Sequence, residues 1–185
     1  MSFGFPKRIE AIQEAIKHAF YRDVIMFAAT SNEGGNEKIA YPANQHSMVI
    51  GIHSTNGQGN KSRFTPNLHP RTENFATLGE CIESAWPSRL GKGDTQYKSG
   101  TSYATPIAVA AAAALLQYVR CKLPETKYIN TRKLRSCDGM KAALRVMSVE
   151  RDRYNYIRPW LLLNTEEDDY EDIISRRILE SLRDI

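Results

Sequence analysis

Residues 100–106, with the sequence Gly-Thr-Ser-Tyr-Ala-Thr-Pro, combine the residue types that nucleophilic catalysis requires. Gly100 permits a tight turn, and the apolar run that follows predicts a helix with Ser102 in its first turn. There the unpaired backbone N–H groups and the helix dipole stabilise an ionised nucleophile or an oxyanion. Pro106 is also expected in this first turn, where it removes no hydrogen bond of consequence. The alternative is an ordinary capping residue before a core helix.

A second polar segment carries Asn32, which closely follows a short apolar run. An Asn at the carboxyl end of a buried strand can direct its side-chain N–H at a ligand in the crevice above the sheet. The alternative is an Asx turn without any function. Each segment is modest evidence alone, but their order along the chain is informative.

The elements that must position these residues alternate between strands and helices, which predicts an α/β fold with a parallel sheet. Apolar runs predict buried strands at 24–29, 47–52, 73–78 and 81–86. Periodic or Ala- and Leu-rich stretches predict helices at 6–20, 101–120, 138–149 and 170–182. The first helix is expected to begin with Pro6 at its first position. Residues 1–4 would suit the end of a buried strand.

Composition and length exclude several classes of protein. A chain of 185 residues with 42% hydrophobic residues can form one globular domain with a core. Its longest apolar run, 107–116, is ten residues, about half of the roughly 20 that cross a bilayer, so no transmembrane helix is predicted. The first twenty residues have no apolar h-region, so no signal peptide is predicted and an intracellular location is favoured.

Charge is unevenly distributed along the chain. The acidic tail, residues 166–185, has eight acids and three arginines, a balance of −5, so the net charge of +4 leaves +9 on residues 1–165. The basic residues are scattered and no nucleic-acid-binding motif accompanies them, so neither a nucleic-acid nor a membrane partner is predicted. The acidic tail predicts an amphipathic helix or a segment that binds a protein partner.

The three cysteines, Cys81, Cys121 and Cys137, are an odd number without a CxxC pair. They therefore predict neither a disulfide framework nor a zinc site, and free, buried thiols are expected instead. No cofactor and no metal ligand set is predicted.

Taken together, these segments resemble the second half of the catalytic domain of a subtilisin-like serine protease, a subtilase of the peptidase S8 type. Residues 100–106 match the nucleophile motif Gly-Thr-Ser-x-Ala-x-Pro, and Asn32 matches the Asn of the segment Ala-Ala-x-x-Asn-x-Gly. Weaker likenesses are found to the family's Met-Ser-x-Gly strand, its Tyr-Pro-Ala turn with the next strand, and the strand pair before the nucleophile: residues 1–4, 41–51 and 75–87.

The resemblance implies a partial subtilisin-like fold over residues 1–122. Residues 123–185 are then a helical C-terminal extension with the acidic tail, similar to the extension of subtilase-like proteins from filamentous fungi. The implied function is a serine-type endopeptidase acting on a peptide or protein substrate. Calcium sites are common in the family, but no residues here identify one.

The resemblance also implies a role for individual residues. Ser102 is the nucleophile, and its backbone N–H forms the oxyanion hole with the side chain of Asn32, supported by Thr101. Substrate binding through backbone and apolar contacts is implied for Ser2, Phe3, Gly4 and Gly100.

One departure from the family pattern is large, because the triad Asp and His precede the Asn and Ser in subtilases and neither motif is in this sequence. The four histidines lie outside any His-Gly-Thr context and are expected at the surface: His18, His46, His53 and His69. The chain is therefore expected to be a fragment that is inactive alone. The alternative is a non-catalytic pseudoprotease or a peptide-binding interaction module.

Overall fold

A five-stranded sheet organises the part of the chain that the computed structural model describes, which is residues 1–70, 72–91, 93–122, 132–163, 170–183 and 185. Its strands lie in the order β1 (Met26–Ala29), β2 (Val49–Thr55), β3 (Phe75–Leu78), β7 (Tyr154–Ile157) and β6 (Ser148–Arg151). The first four pair in parallel, and β6 runs antiparallel to β7. The predicted α/β fold with a mainly parallel sheet is confirmed.

Helices cover both faces of this sheet. They are α1 (Glu10–Phe20), α2 (Thr101–Lys122), α3 (Cys137–Val146), α4 (Trp160–Leu163) and α5 (Tyr170–Ser181). The prediction that α1 begins at Pro6 is wrong, because Ile9 occupies the position before the helix. The chain is still extended at Phe5, where it exchanges backbone hydrogen bonds with Tyr41.

Alternate residues of the strands point to opposite faces, as the pleat of a strand requires. Phe27, Ile50 and Ile52 lie in the larger core with α2, α3 and α5. Ala28 and Val49 lie in a smaller core that also contains Ile16 of α1. The sheet is therefore the middle layer between α1 and the other long helices.

Helix α2 lies across β1, β2 and β3 and buries a face of small and aliphatic residues. The stretch Thr101–Cys121 has a mean hydropathy of 1.3 and is long and apolar enough to cross a membrane by those two criteria. The ten-residue run 107–116 thus understates the apolar length of this helix. Of the apolar window, 33% is buried, and the packing of this face on the sheet accounts for that part of its apolar character.

The segment just before α2 forms a hairpin outside the main sheet. Strand β4 (Ile82–Ala85) pairs antiparallel with β5 (Thr95–Lys98), and a short 3₁₀ turn lies between them. The expected fourth buried parallel strand is therefore wrong, since β4 residues alternate between half-buried and exposed. At the base of the hairpin the Gly100 N–H donates to the Gly79 carbonyl at 2.8 Å, which fixes the point where α2 begins.

The region after residue 122 is not purely helical, contrary to the prediction, because β6 and β7 belong to it. Strand β7 pairs with β3 through Phe75 and Asn155. A two-residue turn joins β6 to β7, with φ of 49° at Asp152 and 64° at Arg153. The boundary at residue 122 stays a prediction, but described residues on both sides of it share one core.

The described part of the acidic tail is the amphipathic helix α5. Ile174, Ile178 and Leu182 are buried in the larger core, and α5 packs against α3. Lys133 Nζ donates to the carbonyls of Leu182 and Ile185, and a cation suits this end of a helix. These three apolar residues of the tail are thus occupied within the chain, whereas Ile185 is exposed.

The cysteines are free, but only Cys137 is buried as expected. Cys81 and Cys121 are exposed, contrary to the prediction. Cys81 follows the end of β3 at the base of the hairpin, and Cys121 lies in the last turn of α2, beyond the part that packs on the sheet.

Candidate active site

The structure brings Asn32 and Ser102 together where β1 ends and α2 begins. Two residues separate Asn32 from Ala29, the last residue of β1, and its side-chain Oδ1 accepts a hydrogen bond from the Thr101 backbone N–H at 2.8 Å. The Thr101 hydroxyl lies 3.1 Å from the same oxygen and 3.2 Å from the Ser31 carbonyl. Asn32 therefore caps α2 from another part of the chain, and the buried Thr101 side chain positions it.

Gly100 allows this close approach. Its φ of 155° lies in the region that side-chain-bearing residues rarely adopt, and a Cβ at this position would lie 3.1 Å from Asn32 Nδ2. A glycine is thus required here both by the backbone conformation and by the contact with Asn32.

Two N–H donors remain available at this point. Oδ1 of Asn32 binds Thr101, so the amide nitrogen of Asn32, Nδ2, points away from Thr101. No residue in the described ranges accepts a hydrogen bond from this Nδ2. Ser102 is the second residue of α2, so its backbone N–H has no acceptor within the helix. With the positive end of the helix dipole added, these donors suit an oxyanion.

Ser102 also contacts the beginning of the chain. Its Oγ donates to the Ser2 carbonyl at 3.2 Å, and Ser2 Oγ donates in return to the Ser102 carbonyl at 3.0 Å. This pair of hydrogen bonds holds Ser2 beside the nucleophile position.

Pro106 explains why the Ser102 carbonyl is free for that contact. It is the sixth residue of α2, not a residue of the first turn as predicted. A non-proline residue there would donate its N–H to the Ser102 carbonyl, and proline has no N–H. The missing hydrogen bond therefore matters, because Ser2 Oγ supplies the donor instead.

Residues 1–4 lie along the open edge of β1, but they form no strand and Ser2, Phe3 and Gly4 are exposed, so the expected end of a buried strand is wrong. The Ala29 N–H donates to the Met1 carbonyl at 3.0 Å, and the Met1 amino group donates to the Phe27 carbonyl. Phe5 then pairs with Tyr41. Between these two attachments, Ser2, Phe3 and Gly4 make no backbone hydrogen bond to the backbone of any described residue, and Phe3 is 48% exposed.

A cleft of about 610 Å³ opens next to Ser102 and Asn32. One wall is formed by Gly4 and Ala40, which approach so closely that a Cβ on Gly4 would lie 2.7 Å from Ala40 Cβ. The loop after Asn32 forms another part of the lining and contributes Glu33 and Glu37. These two residues were not predicted from the sequence, although the position of Glu33 directly after Asn32 was a signal that could have indicated it.

Ser31 has an unusual backbone conformation at the rim of this cleft. Its φ is 142°, in the region that favours glycine, although it carries a side chain. Its Oγ accepts a hydrogen bond from the Glu33 N–H at 3.2 Å. The strained residue therefore sits directly before Asn32.

None of the four histidines contacts Ser102 in the described part of the chain. His18 interacts with Arg22 on the exposed face of α1, and the rings of His46 and His69 lie 4.3 Å apart. Ser102 Oγ donates to the Ser2 carbonyl and not to a histidine. None of the described histidines is therefore placed to act as its general base.

His53 is not at the surface, contrary to the prediction, since it is 1% exposed. It lies within β2, where its Nδ1 is 3.3 Å from Thr30 Oγ1 and its ring packs edge-on against Tyr154. Burial, aided by the charge of Lys61, lowers the pKa of His53 to about 3. The imidazole is therefore neutral at ordinary pH and belongs to the core.

No group of three or more histidine, cysteine or acidic residues suited to a metal ion is assembled among the described residues. The arrangement beside Ser102 can hold an anionic oxygen through N–H donors.

Comparison with known proteins connects this geometry to a family. The model of the Subtilase family, Peptidase_S8, matches residues 1–145. That match extends past residue 122, the predicted end of the subtilisin-like part, and includes most of α3.

Two curated relatives show the extent of the similarity. Subtilisin-like protease het-Q2 of Podospora anserina is 32% identical over 114 residues, which is 61% of this chain and 31% of that protein. Subtilisin BL of Lederbergia lenta is 30% identical over 118 residues, 63% of this chain and 40% of that protein. The chain thus spans well under half of the length of these relatives.

Solved structures show the same fold at lower sequence identity. The prenylagaramide maturation protease PagA superposes with a TM-score of 0.62 at 22% identity, covering 97% of this chain and 58% of that one. The S218A mutant of the PatA protease domain gives a TM-score of 0.64 at 21% identity, with 87% and 56% coverage.

Proposed function

Because this chain belongs to the subtilase family, we propose that it carries the nucleophile and oxyanion hole of a serine endopeptidase, with Ser102 as nucleophile and Asn32 as oxyanion donor. The observation that supports the proposal most is the position of Asn32. Its Oδ1 is fixed on the Thr101 N–H, its Nδ2 has no acceptor among the described residues, and Asn32 and Ser102 line the same cleft.

The proposed reaction follows acyl-transfer chemistry. Ser102 Oγ attacks the peptide carbonyl carbon and passes its proton to a general base. Asn32 Nδ2–H and the Ser102 N–H hold the oxygen of the tetrahedral intermediate. The intermediate expels the amine, which takes the proton from the base, and water then hydrolyses the acyl group from Ser102.

Residues 2–4 would bind the substrate as an additional strand. Their backbone groups are unpaired with other backbone between the attachments at Met1 and Phe5. An extended peptide can pair with such an edge by main-chain hydrogen bonds. Its scissile carbonyl would then lie next to Ser102, which Ser2 contacts directly.

We expect the 185-residue chain to hydrolyse peptides poorly when alone, because none of its described histidines contacts Ser102. In subtilisin, loss of the base histidine lowers turnover by about 10⁶-fold. A small base supplied in solution should replace part of this function.

The test is labelling of the 185-residue chain by a fluorophosphonate in the presence of imidazole. We expect Ser102 to be phosphonylated at a rate that rises with imidazole concentration, as located by peptide mass spectrometry. Ser102→Ala should abolish the labelling. Ser47→Ala, at an exposed serine outside the cleft, should leave it unchanged.

If labelling is independent of imidazole, or persists in Ser102→Ala, Ser102 is not the nucleophile. Absence of labelling together with binding of peptides would favour the non-catalytic peptide-binding alternative.

A further inference from the structure

We propose that the cleft beside Ser102 selects a lysine or arginine side chain on the substrate residue whose carbonyl Ser102 attacks. The inference rests on the proposed function, and it adds a substrate class that the family membership alone does not specify.

The cleft has the shape for a long, thin side chain. Its volume is about 610 Å³, and Ala29, Ile39 and Ala40 contribute apolar surface to it. Gly4 and Ala40 lie so close together that no Cβ fits between them without a shift. Such walls suit the alkyl part of a lysine or arginine, which packs on apolar surface and extends its charge toward water.

The charges of the cleft favour a cation. Glu33 and Glu37 line it, and neither makes an ion pair with any residue in the described ranges. Lys38 also lines the cleft, which leaves a net charge of −1 there, whereas the whole chain carries +4. The cleft is therefore locally acidic in a basic protein, and two unpaired carboxylates are available to a bound ammonium or guanidinium group.

The carboxylates are carried on a backbone that is held in place. The Glu33 N–H donates to Ser31 Oγ at 3.2 Å, and the Glu37 N–H donates to the Gly34 carbonyl at 3.2 Å. Gly34 in turn donates to the Phe64 carbonyl at 2.8 Å, which ties the loop to the next segment. A charged loop that is fixed in this way loses little entropy when a ligand binds.

Lys38 distinguishes this proposal from a preference for acidic side chains. If the lysine dominated, the cleft would attract an acidic residue; with two carboxylates against one ammonium, we expect the reverse. Specificity is a difference between two affinities, so it must be measured on matched ligands.

The experiment compares the affinity of four peptide amides for the 185-residue chain by fluorescence anisotropy. The peptides are identical except for a terminal arginine, citrulline, leucine or glutamate amide. Citrulline has the shape of arginine without its charge. We expect arginine to bind about threefold to tenfold more tightly than citrulline at low ionic strength, with the difference reduced by salt.

Variants locate the effect within the cleft. Glu33→Gln and Glu37→Gln should each reduce the ratio of arginine to citrulline affinity, and Lys38→Gln should increase it. Glu150→Gln, at an exposed glutamate of β6 outside the cleft, should leave the ratio unchanged. All four positions are exposed, so thermal melts should be close to that of the unmodified chain.

Equal affinities for arginine and citrulline, tighter binding of the glutamate peptide, or no binding of any peptide would overturn the proposal. The measurement needs no catalysis, so it is separate from fluorophosphonate labelling. Labelling of Ser102 without charge preference would refute only the proposed specificity. Charge-dependent binding without labelling would refute the role of Ser102 as nucleophile and support the preference of the cleft for a cationic side chain.

Discussion

The carboxyl ends of β1 and β2 carry similar small polar residues, but these residues differ in exposure and in hydrogen bonding. After β1, Asn32 is exposed and keeps an unused donor. At the end of β2, Ser54 Oγ pairs with Ser62 Oγ at 2.8 Å, and the Ser54 N–H donates to Thr65 Oγ1 at 2.9 Å, all within the buried interior.

The loop that follows each strand decides the difference. After β2 the chain turns back on the strand, so that the Ser62 N–H donates to the Ser54 carbonyl at 3.0 Å. After β1 the chain leads away and lines the cleft. Polar residues at the end of a strand are thus hydrogen-bonded within the interior where the following loop folds back on the strand. They remain available to a ligand where the following loop leads away from the strand.

The largest expected effect separates the two roles of Asn32. Asn32→Asp keeps an oxygen to accept from the Thr101 N–H but removes the free N–H donor. We expect imidazole-supported labelling of Ser102 to fall by about 10²–10³-fold, the loss recorded for the corresponding donor in subtilisin. Urea denaturation should show no loss of stability, because a carboxylate also suits the beginning of a helix.

Asn36→Asp, in the same cleft, is the matched control for added charge and should label at the unmodified rate. Similar labelling rates for Asn32→Asp and the unmodified chain would mean that Asn32 only caps α2 and donates no hydrogen bond in the reaction. The polar residues after β1 would then have a purely structural role, like those at the end of β2.

The buried His53 of β2 makes the stability of the chain depend on pH. Its pKa is lowered from the usual 6.5 to about 3 in the folded chain, so below pH 6.5 the unfolded chain binds the proton first. Stability should therefore fall as pH falls from about 6.5 toward 3, by up to about 1.4 kcal/mol per pH unit. Half-buried His46, with a pKa lowered to about 4, acts in the same direction.

Urea denaturation at a series of pH values measures this slope. His53→Gln should flatten it, whereas His18→Gln, on the exposed face of α1, should not. An unchanged slope in His53→Gln would show that the buried imidazole does not govern acid sensitivity.

A pair of serine variants compares the two ends directly. Ser54→Ala leaves Ser62 Oγ buried without this partner, so we expect a loss of about 1–3 kcal/mol in the free energy of unfolding. Ser2→Ala removes an exposed hydrogen bond and should cost less than about 0.5 kcal/mol. If chemical denaturation showed equal losses in the free energy of unfolding for Ser54→Ala and Ser2→Ala, the contrast between the ends of β1 and β2 would be wrong.

At Ser31 we expect a small gain in stability instead of a loss. Glycine adopts its φ of 142° without strain, so Ser31→Gly should raise the free energy of unfolding by about 1 kcal/mol. Ser31→Ala loses the same hydrogen bond from the Glu33 N–H but keeps the strain, so it should be less stable than Ser31→Gly. The opposite order in thermal denaturation would show that the backbone of Ser31 is relaxed.

The parallel strands and α2 could be predicted from sequence because apolar runs of strand or helix length leave few alternatives. The hairpin of β6 and β7 could not. Its turn residues, Asp152 and Arg153, both adopt positive φ, as a two-residue hairpin turn requires, but the usual glycine is absent. Pro106 was misplaced for a related reason, since the boundary of a helix depends on its partners as well as on its sequence.

The pairing of Asn32 with Ser102 was accessible only through motif resemblance, because the two residues are far apart in the chain. Nothing local to either residue indicates the hydrogen bond from Thr101 to Asn32 Oδ1. The cleft charges were missed because their importance depends on which loop lies next to Ser102. Local patterns thus predicted the elements, whereas the site depends on contacts between distant segments.

The burial of Ile178 and Leu182 among residues of β2 and α2 has a consequence for synthesis on the ribosome. The larger core cannot close until the last turns of α5 have left the exit tunnel. From the synthesis of α2 to the synthesis of α5, the apolar face of α2 is therefore exposed to chaperones and to other nascent chains.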